Sequence, residues 1–380
     1  MRTTPSDPSQ LSFRRTDFAP VWNGAGHYVA AVQNKTGELA ALSHATSDTW
    51  ERMTPLISIV GPKGPPDAYK IETVARWVKR VADAVGLRPF FLDTLRLSPG
   101  HPTQTRDGDG QVLGMIHDEA RRRGMEFVPI LPLGGAHSPE HVAVVRDTAG
   151  RDGRGAALRY PIRRIAPPPG MTHASILTDA LKDIDVNVES ADVLVDLSYL
   201  AAEDELHPDY VSEAIEDVLA AGDWRSVVLL GTSMPSMLGE VPEGTVGSLP
   251  RREWELWSEI RRSLPQRIPS YGDYVIQHPD PPRDDEGGGP SMRANIRYTV
   301  TGQTLIARGR GPVIQVGREQ YRVLCQQLVE RSEFAGSEFS WGDCQIAACA
   351  QGEIEPGWQP LWRGAGSSHH FRVVTDQLRG

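Results

Sequence analysis

Acidic side chains at the ends of apolar runs, and a C-terminal third carrying paired arginines and histidines, are the groups in this chain best suited to chemistry. Glu38 follows the run HYVAAV, Asp93 closes PFFLD, Asp196 sits in VLVDLSYL and Asp273 in YGDY. Two carboxylates across a cleft can divide the roles of general acid and general base. They can also hold a divalent cation such as Mg²⁺ or Mn²⁺ through oxygen ligands. Asp196 has the cleanest context, because an apolar run carries it straight to a strand end. Lys35, close before Glu38, stands out in a chain that otherwise relies on arginine. Such a lysine could clamp an anion or, once desolvated, act as a nucleophile.

Further along, NIRYT places Asn295 and Arg297 on one face of a strand and Tyr298 on the other, and Arg308 closes the partner segment. The chain then ends in GAGSSHHFRVVTDQLRG, with His369 and His370 side by side. Two arginines and two histidines make an anion site fit for phosphate, a nucleotide or a phosphodiester, with bidentate arginine contacts setting orientation. Neighbours on a helix point about 100° apart, so the two histidines cannot easily share one metal. One of them, His370, could serve as acid or base near neutral pH, while His369 helps hold the anion. Asp343, in WGDC, is available to orient one of the rings. A phosphodiesterase-like hydrolysis is one reaction that such a set could run.

Each group also has a plainer reading. Carboxylates cap loops or pair with arginines, a lysine beside a turn is solvated, and buried histidines satisfy neighbouring polar groups. Ser233 in GTSMP lacks a GxSxG elbow and is a weak nucleophile candidate. Glycosidase chemistry needs two carboxylates at a defined separation, which spacing alone does not provide.

The elements that must position these residues alternate along the chain. Strand-like runs fall at 27–32, 55–60, 89–93, 127–133, 157–162, 192–200, 226–234 and 271–278. Helical stripes lie between them, such as Ile71, Val74, Val78, Val81 and Val85. Several runs are continuously apolar, as parallel strands buried on both faces are. Eight strands in alternation with helices predict a (β/α)₈ barrel, a TIM-like fold, with an open doubly wound sheet as the alternative. The absence of GxGxxG and of GxxxxGK[ST] removes support for dinucleotide or P-loop phosphate binding. In a barrel, polar residues at the C-terminal strand ends point into the mouth, which is where the carboxylates are expected to gather.

Residues 1–26 read as a flexible leader, 27–278 and 367–380 as the barrel, and 279–366 as a lid-like insertion over its C-terminal face. The boundary assumes that the closing helix starts at Ser368, with Phe371, Val374 and Leu378 as its stripe. On that placement His369 and His370 stand at a helix N-terminus, where backbone N–H groups favour an anion. Ser138 and Pro139 read as the start of another helix.

Composition narrows the function classes. A net charge of −9 over 380 residues argues against a general nucleic-acid coat but leaves room for a local basic groove. No apolar run is long enough to span a membrane. Three cysteines without CxxC spacing suggest no disulfide framework and point to a reducing cytoplasm.

The ordered set NKTGELAAL, PLISIV, YGDY, RANIRYT, IARG, FSWGDCQI and HHFRVV resembles the phage-type beta proteins, a family named after a protein of bacteriophage T4. The resemblance spans roughly residues 27–378. It implies association with phages and bacterial mobile elements, hence phage–host conflict and anti-phage defence, and supplies no reaction. Three functions follow as expectations: an enzyme acting on an anionic phosphoester or nucleotide at the barrel mouth; a non-catalytic barrel whose insertion binds a protein partner of a phage-defence or phage-encoded complex, with Trp341, Trp358 and Trp362 as anchors; and a nucleic-acid binder using the arginine cluster.

Overall fold

The computed structural model describes residues 24–61, 70–94, 109–134, 139–165, 167–202, 206–264, 267–280 and 292–379. In chain order its strands are β1 (Tyr28–Gln33), β2 (Met53–Ser58), β3 (Phe90–Asp93), β4 (Phe127–Pro132), β5 (Ala156–Tyr160), β6 (Ala191–Tyr199), β7 (Ser226–Thr232), β8 (Val246–Pro250), β9 (Ser270–Asp273), β10 (Arg293–Val300) and β11 (Gln303–Pro312). The helices are α1 (Thr36–Ser43), α2 (Ser47–Trp50), α3 (Ile71–Val85), α4 (Asp109–Arg122), α5 (Pro139–Asp152), α6 (His173–Ile184), α7 (Pro208–Ala220), α8 (Arg252–Ser263), α9 (Val313–Val316), α10 (Gln320–Val329), α11 (Trp341–Gln351) and α12 (Gln359–Gln377).

β1 to β7 and β9 close into a parallel barrel, with β9 pairing back onto β1. This is the (β/α)₈ architecture that the alternation of runs predicts. Side chains of alternate residues fill its interior, among them Val29, Leu56, Phe91, Ile130, Leu194 and Leu230. The other face of each strand packs against the helices, so both faces are apolar and the strands show no alternation. α3 illustrates the helical layer: Val74, Val78, Val81 and Val85 are buried at spacings of three and four, each stabilising by roughly 1.5–3 kcal/mol. The helix ends where Gly86 adopts a positive φ of 64°.

A second layer is built from both sides of the last barrel strand. β10, β11 and β8 form an antiparallel sheet in the order β10-β11-β8. The hairpin turns at Thr301–Gly302, with Gly302 at φ 69°. One sheet face packs on α10 and α11 around Ile296, Tyr298, Leu305, Tyr321 and Leu328. β8 precedes β9 in the chain, so the added layer draws on residues before 279 as well as after it.

α12 begins ten residues before His369 and contradicts the expected helix start at Ser368. Trp362 and Ala365 belong to the core of the added layer, whereas Phe371, Val374 and Leu378 belong to the barrel's helical core. One helix thus serves both, and a boundary at 366/367 cuts through it. The glycines of the run GAG, just before the expected helix start, mark close approaches inside the helix. A Cβ on Gly364 would lie 2.8 Å from the Gly37 carbonyl oxygen, and one on Gly366 would lie 2.5 Å from that of Arg297. Most of the expected leader, Ser138 and most of the Pro/Gly-rich stretch after residue 279 lie outside the described residues.

Among the described residues, no helix is long and apolar enough to cross a membrane.

Candidate functional site

The barrel mouth holds two of the expected carboxylates, and an arginine stands between them. Asp93 and Asp196 are interior residues at the ends of β3 and β6. Arg159, near the end of β5, bonds Asp93 through Nη1 and Asp196 through Nε (2.9 Å) and Nη2 (2.8 Å). It also donates to the Tyr274 hydroxyl at 2.6 Å, which donates in turn to Asp196 Oδ1 at 2.7 Å. Ser58 donates to Asp93 at 2.9 Å. All five residues are buried. A guanidinium occupies the place between the carboxylates that a divalent cation would need. Among the described residues, no group of three or more His, Cys, Asp or Glu converges as a metal-ion donor set. These side chains do not fit the expected Mg²⁺ or Mn²⁺.

Asp273 is not in the mouth. Gly272 aligns with the interior residues Val29 and Leu230, so the next residue points outward. Its carboxylate lies between the barrel and α12, accepting from Tyr28 (2.5 Å), Tyr271 (2.9 Å), the Val275 N–H (2.9 Å) and His370 Nε2 (2.8 Å). Burial alone would raise the Asp273 carboxyl, but His370, Arg251 and Tyr28 outweigh it and hold the group below its usual range. Burial dominates at His370 and lowers its pKa despite the neighbouring Asp273. The pair therefore rests as a neutral imidazole donating to a carboxylate, with Thr299 Oγ1 2.7 Å from Nδ1. His370 is a brace between α12, β9 and β10, deep in the middle of its helix.

His369 is equally enclosed. Asp343 orients it, as its position in WGDC suggested, through Nδ1 at 2.9 Å, while Nε2 lies 2.7 Å from the Thr299 carbonyl oxygen. Tyr298 stacks on the ring at 3.7 Å and donates to Asp343 at 2.8 Å. The expected anion site at a helix N-terminus is thus replaced by buried partners, because α12 already has ten residues behind His369. Arg308 donates to the Leu238 carbonyl (2.8 Å) and to that of Val241, tying β11 to the segment before β8. Arg297 donates to the Ile276 carbonyl and shares with Asn295 a recess of about 10 Å³ beside Gln359 and Arg363. Trp362 is buried, Trp341 stacks on His44 at 4.5 Å, and Trp358 is the exposed member of the three. Glu38 turns back beneath α1, where its Oε2 accepts the Gln33 N–H.

The expected residue that does reach a large opening is Lys35. A cavity of about 880 Å³ lies between the ends of β1 and β2, α3, the start of α12 and the segment around α9. Among the described residues, its charged lining side chains are Lys35, Arg80, Arg318 and Arg363, and none of the described lining residues is acidic. Lys35 is the N-cap of α1 and Trp358 that of α12, so the positive ends of two helices meet here. Arg80 reaches over the first of them, donating to Thr36 Oγ1 at 3.0 Å. The Arg318 guanidinium lies 4.8 Å from the centre of the Trp358 ring. Arg80, Arg318, Arg363, Trp77 and Trp358 come from segments up to 286 positions apart, counting from Trp77 to Arg363. In an arginine-rich chain no local pattern marks them as a set.

The helix contact that frames this cavity leaves no room. A Cβ on Gly37 would fall 2.3 Å from the Pro360 carbonyl oxygen and 3.0 Å from the Gly364 nitrogen. Both are backbone atoms that cannot rotate away. Gly37→Ala is expected to destabilise the protein by about 3 kcal/mol, the upper part of the range for overpacking. Urea unfolding tests this, and a loss under ~0.5 kcal/mol would show that α1 and α12 can separate freely.

The family model described as Beta protein matches residues 28–376. This chain belongs to the Beta protein family. The match covers barrel and added layer together, as the motif order had suggested. No curated protein matches the chain. Among solved structures, a GH18 chitinase from Pseudoalteromonas aurantia is similar at 11% identity and a TM-score of 0.33, covering 53% of this chain and 92% of that one. A D-psicose 3-epimerase with D-fructose present is similar at 12% identity and 0.33, covering 65% and 84%. The biosynthetic arginine decarboxylase of Campylobacter jejuni is similar at 8% identity and 0.36, covering 93% and 57%. Likenesses this distant carry no information about chemistry.

Proposed function

We propose that this member of the Beta protein family binds an anionic small molecule, a phosphoester or nucleotide, in the cavity between the N-termini of α1 and α12. The observation that supports the reading is the charge of the lining. Among the described residues, four cationic side chains and no acidic one line a cavity of about 880 Å³, in a chain whose net charge is −9. Cations gathered in a concave site against the overall charge concentrate anions there. Two helix N-termini add N–H groups and partial positive charge. In the phage and mobile-element setting that the family resemblance implies, such a site would serve phage–host conflict.

Calorimetric melting in low salt, without added metal, tests the reading with inorganic phosphate, pyrophosphate and nucleotides. A ligand at ~100 times its Kd should add roughly 2.7 kcal/mol of stability. The substitutions Lys35→Ala and Arg80→Ala together should remove most of that gain, since hydrogen bonds to charged groups contribute ~1.5–3 kcal/mol each. No stabilisation by any phosphate, or stabilisation that survives both substitutions, would sink the proposal.

A second reading, docking of a protein partner on the added layer, is favoured by Ile314, Val316 and Val323, which stay 73%, 49% and 50% exposed. Val316→Glu with Val323→Glu, neither of which lines the cavity, would abolish such docking, measured as loss of a co-purifying partner, and would leave Lys35-dependent anion binding in place.

A further inference from the structure

We infer that the anion taken by this cavity is a nucleoside phosphate, with its phosphates on the barrel side and its base against Trp358. The inference rests on the anion-binding reading and names the ligand class for that same site. Size is the first argument. About 880 Å³ falls in the ~300–1,000 Å³ range of sites that enclose organic ligands, and one phosphate group leaves most of it unfilled.

The mixture of cationic and apolar side chains in the lining is the second argument. The barrel side supplies Lys35, Arg80 and the first turn of α1, suited to phosphate oxygens, beside the apolar Val60 and Trp77. The α9 and α12 segments supply Met292, Val313, Ile314 and the indole of Trp358, suited to a flat apolar face, together with Arg318 and Arg363. A bare phosphate or pyrophosphate would leave these apolar side chains unused. A sugar phosphate would want several hydroxyl partners, and Asn34, Thr36 and Gln359 are the lining side chains that offer neutral polar groups.

The third argument is Trp358 itself. It is 58% exposed although it caps a 19-residue helix, and Ile314 on the same cavity is 73% exposed. The Arg318 guanidinium lies over the indole, presenting a cation and an aromatic surface together, a pairing that suits a nucleobase and its phosphate chain. Arg363, 8% exposed on α12, lines the same cavity.

The test compares pyrophosphate with the adenine, guanine, uracil and cytosine nucleoside diphosphates by isothermal titration on the full chain, metal-free. At least one nucleoside diphosphate should bind roughly fivefold or more tightly than pyrophosphate, the margin that base stacking on an indole supplies. Trp358→Ala should erase that margin and leave the pyrophosphate Kd within about twofold, while Trp358→Phe restores most of it. Lys35→Ala should weaken both ligands alike. Pyrophosphate binding as tightly as every nucleotide, a margin that persists in Trp358→Ala, or a long-chain alkyl diphosphate binding more tightly than any of them would overturn the nucleoside assignment while anion binding stands. Failure of pyrophosphate and nucleotides alike would remove the anion reading as well.

Discussion

Arg159→Met is expected to destabilise the protein by ~3–5 kcal/mol at pH 7, because it strands two carboxylates in the barrel interior. Asp93 is fully buried and Asp196 is 5% exposed, and Arg159 bonds both. The penalty comes from the uncompensated charges, since methionine keeps most of the volume. The combination Arg159→Met, Asp93→Asn, Asp196→Asn should therefore regain most of the loss, as buried ion clusters replaced by neutral groups often do. Urea unfolding of the two variants decides the matter. A loss below ~1 kcal/mol for the single variant would mean that water reaches the network. A triple variant no better than the single one would mean that Arg159 matters for its packing. The expected result would also establish the mouth network as part of the barrel's core, the role its closed set of partners supports.

Acidification should be the other large effect. Burial lowers His27 from 6.5 to about 4 and His117 to about 3. His117 has Thr148 Oγ1 2.8 Å from Nδ1 and packs its ring 5.0 Å from Phe127, so the cation has little to solvate it. Both rings are neutral in the folded chain and become protonated more readily in the unfolded one. The unfolded state thus binds more protons below pH 6.5, and stability falls as pH drops from there toward the folded values. At pH 4 each residue should account for about 3 kcal/mol of lost stability. His370 is lowered in the same direction and adds to the slope. Asp273, held below its usual range, contributes stability that disappears only at still lower pH. Unfolding free energies at pH 7.5, 6, 5 and 4 should decline steeply below 6.5. His117→Leu should flatten the decline by about 3 kcal/mol between pH 6.5 and 4. A flat profile, or a slope untouched by His117→Leu, would show that the ring is protonated in the folded protein.

These two results bear on where function is sought. The acidic residues that read as catalytic are built into the core, at the mouth for Asp93 and Asp196 and behind the barrel wall for Asp273. What remains open and charged is the seam between barrel and added layer, where Lys35 stands with arginines from three other segments.

The barrel was legible because its signal is local. Each apolar run is one strand, each stripe at spacings of three and four is one helix face, and their alternation admits few topologies. The β10–β11 hairpin was legible for the same reason, through its Thr-Gly turn. Parity was not. A strand buried on both faces, such as the one carrying Asp196, reads as VLVDL whichever way its carboxylate points. Asp196 faces inward and Asp273 outward only because of the register with β7 and β1, and the Tyr28 hydroxyl that donates to Asp273 belongs to a residue 245 positions away. Helix length failed at GAG for a related reason: glycine breaks a helix in solvent, yet admits one where another backbone passes within contact, and only the fold brings Gly37 to Gly364. The cavity lies furthest beyond local reading. Its cations, a lysine and three arginines, are scattered along the chain until chain closure sets the start of α12 beside the start of α1, and convergence of that kind depends on distances in space that spacing along the chain does not encode.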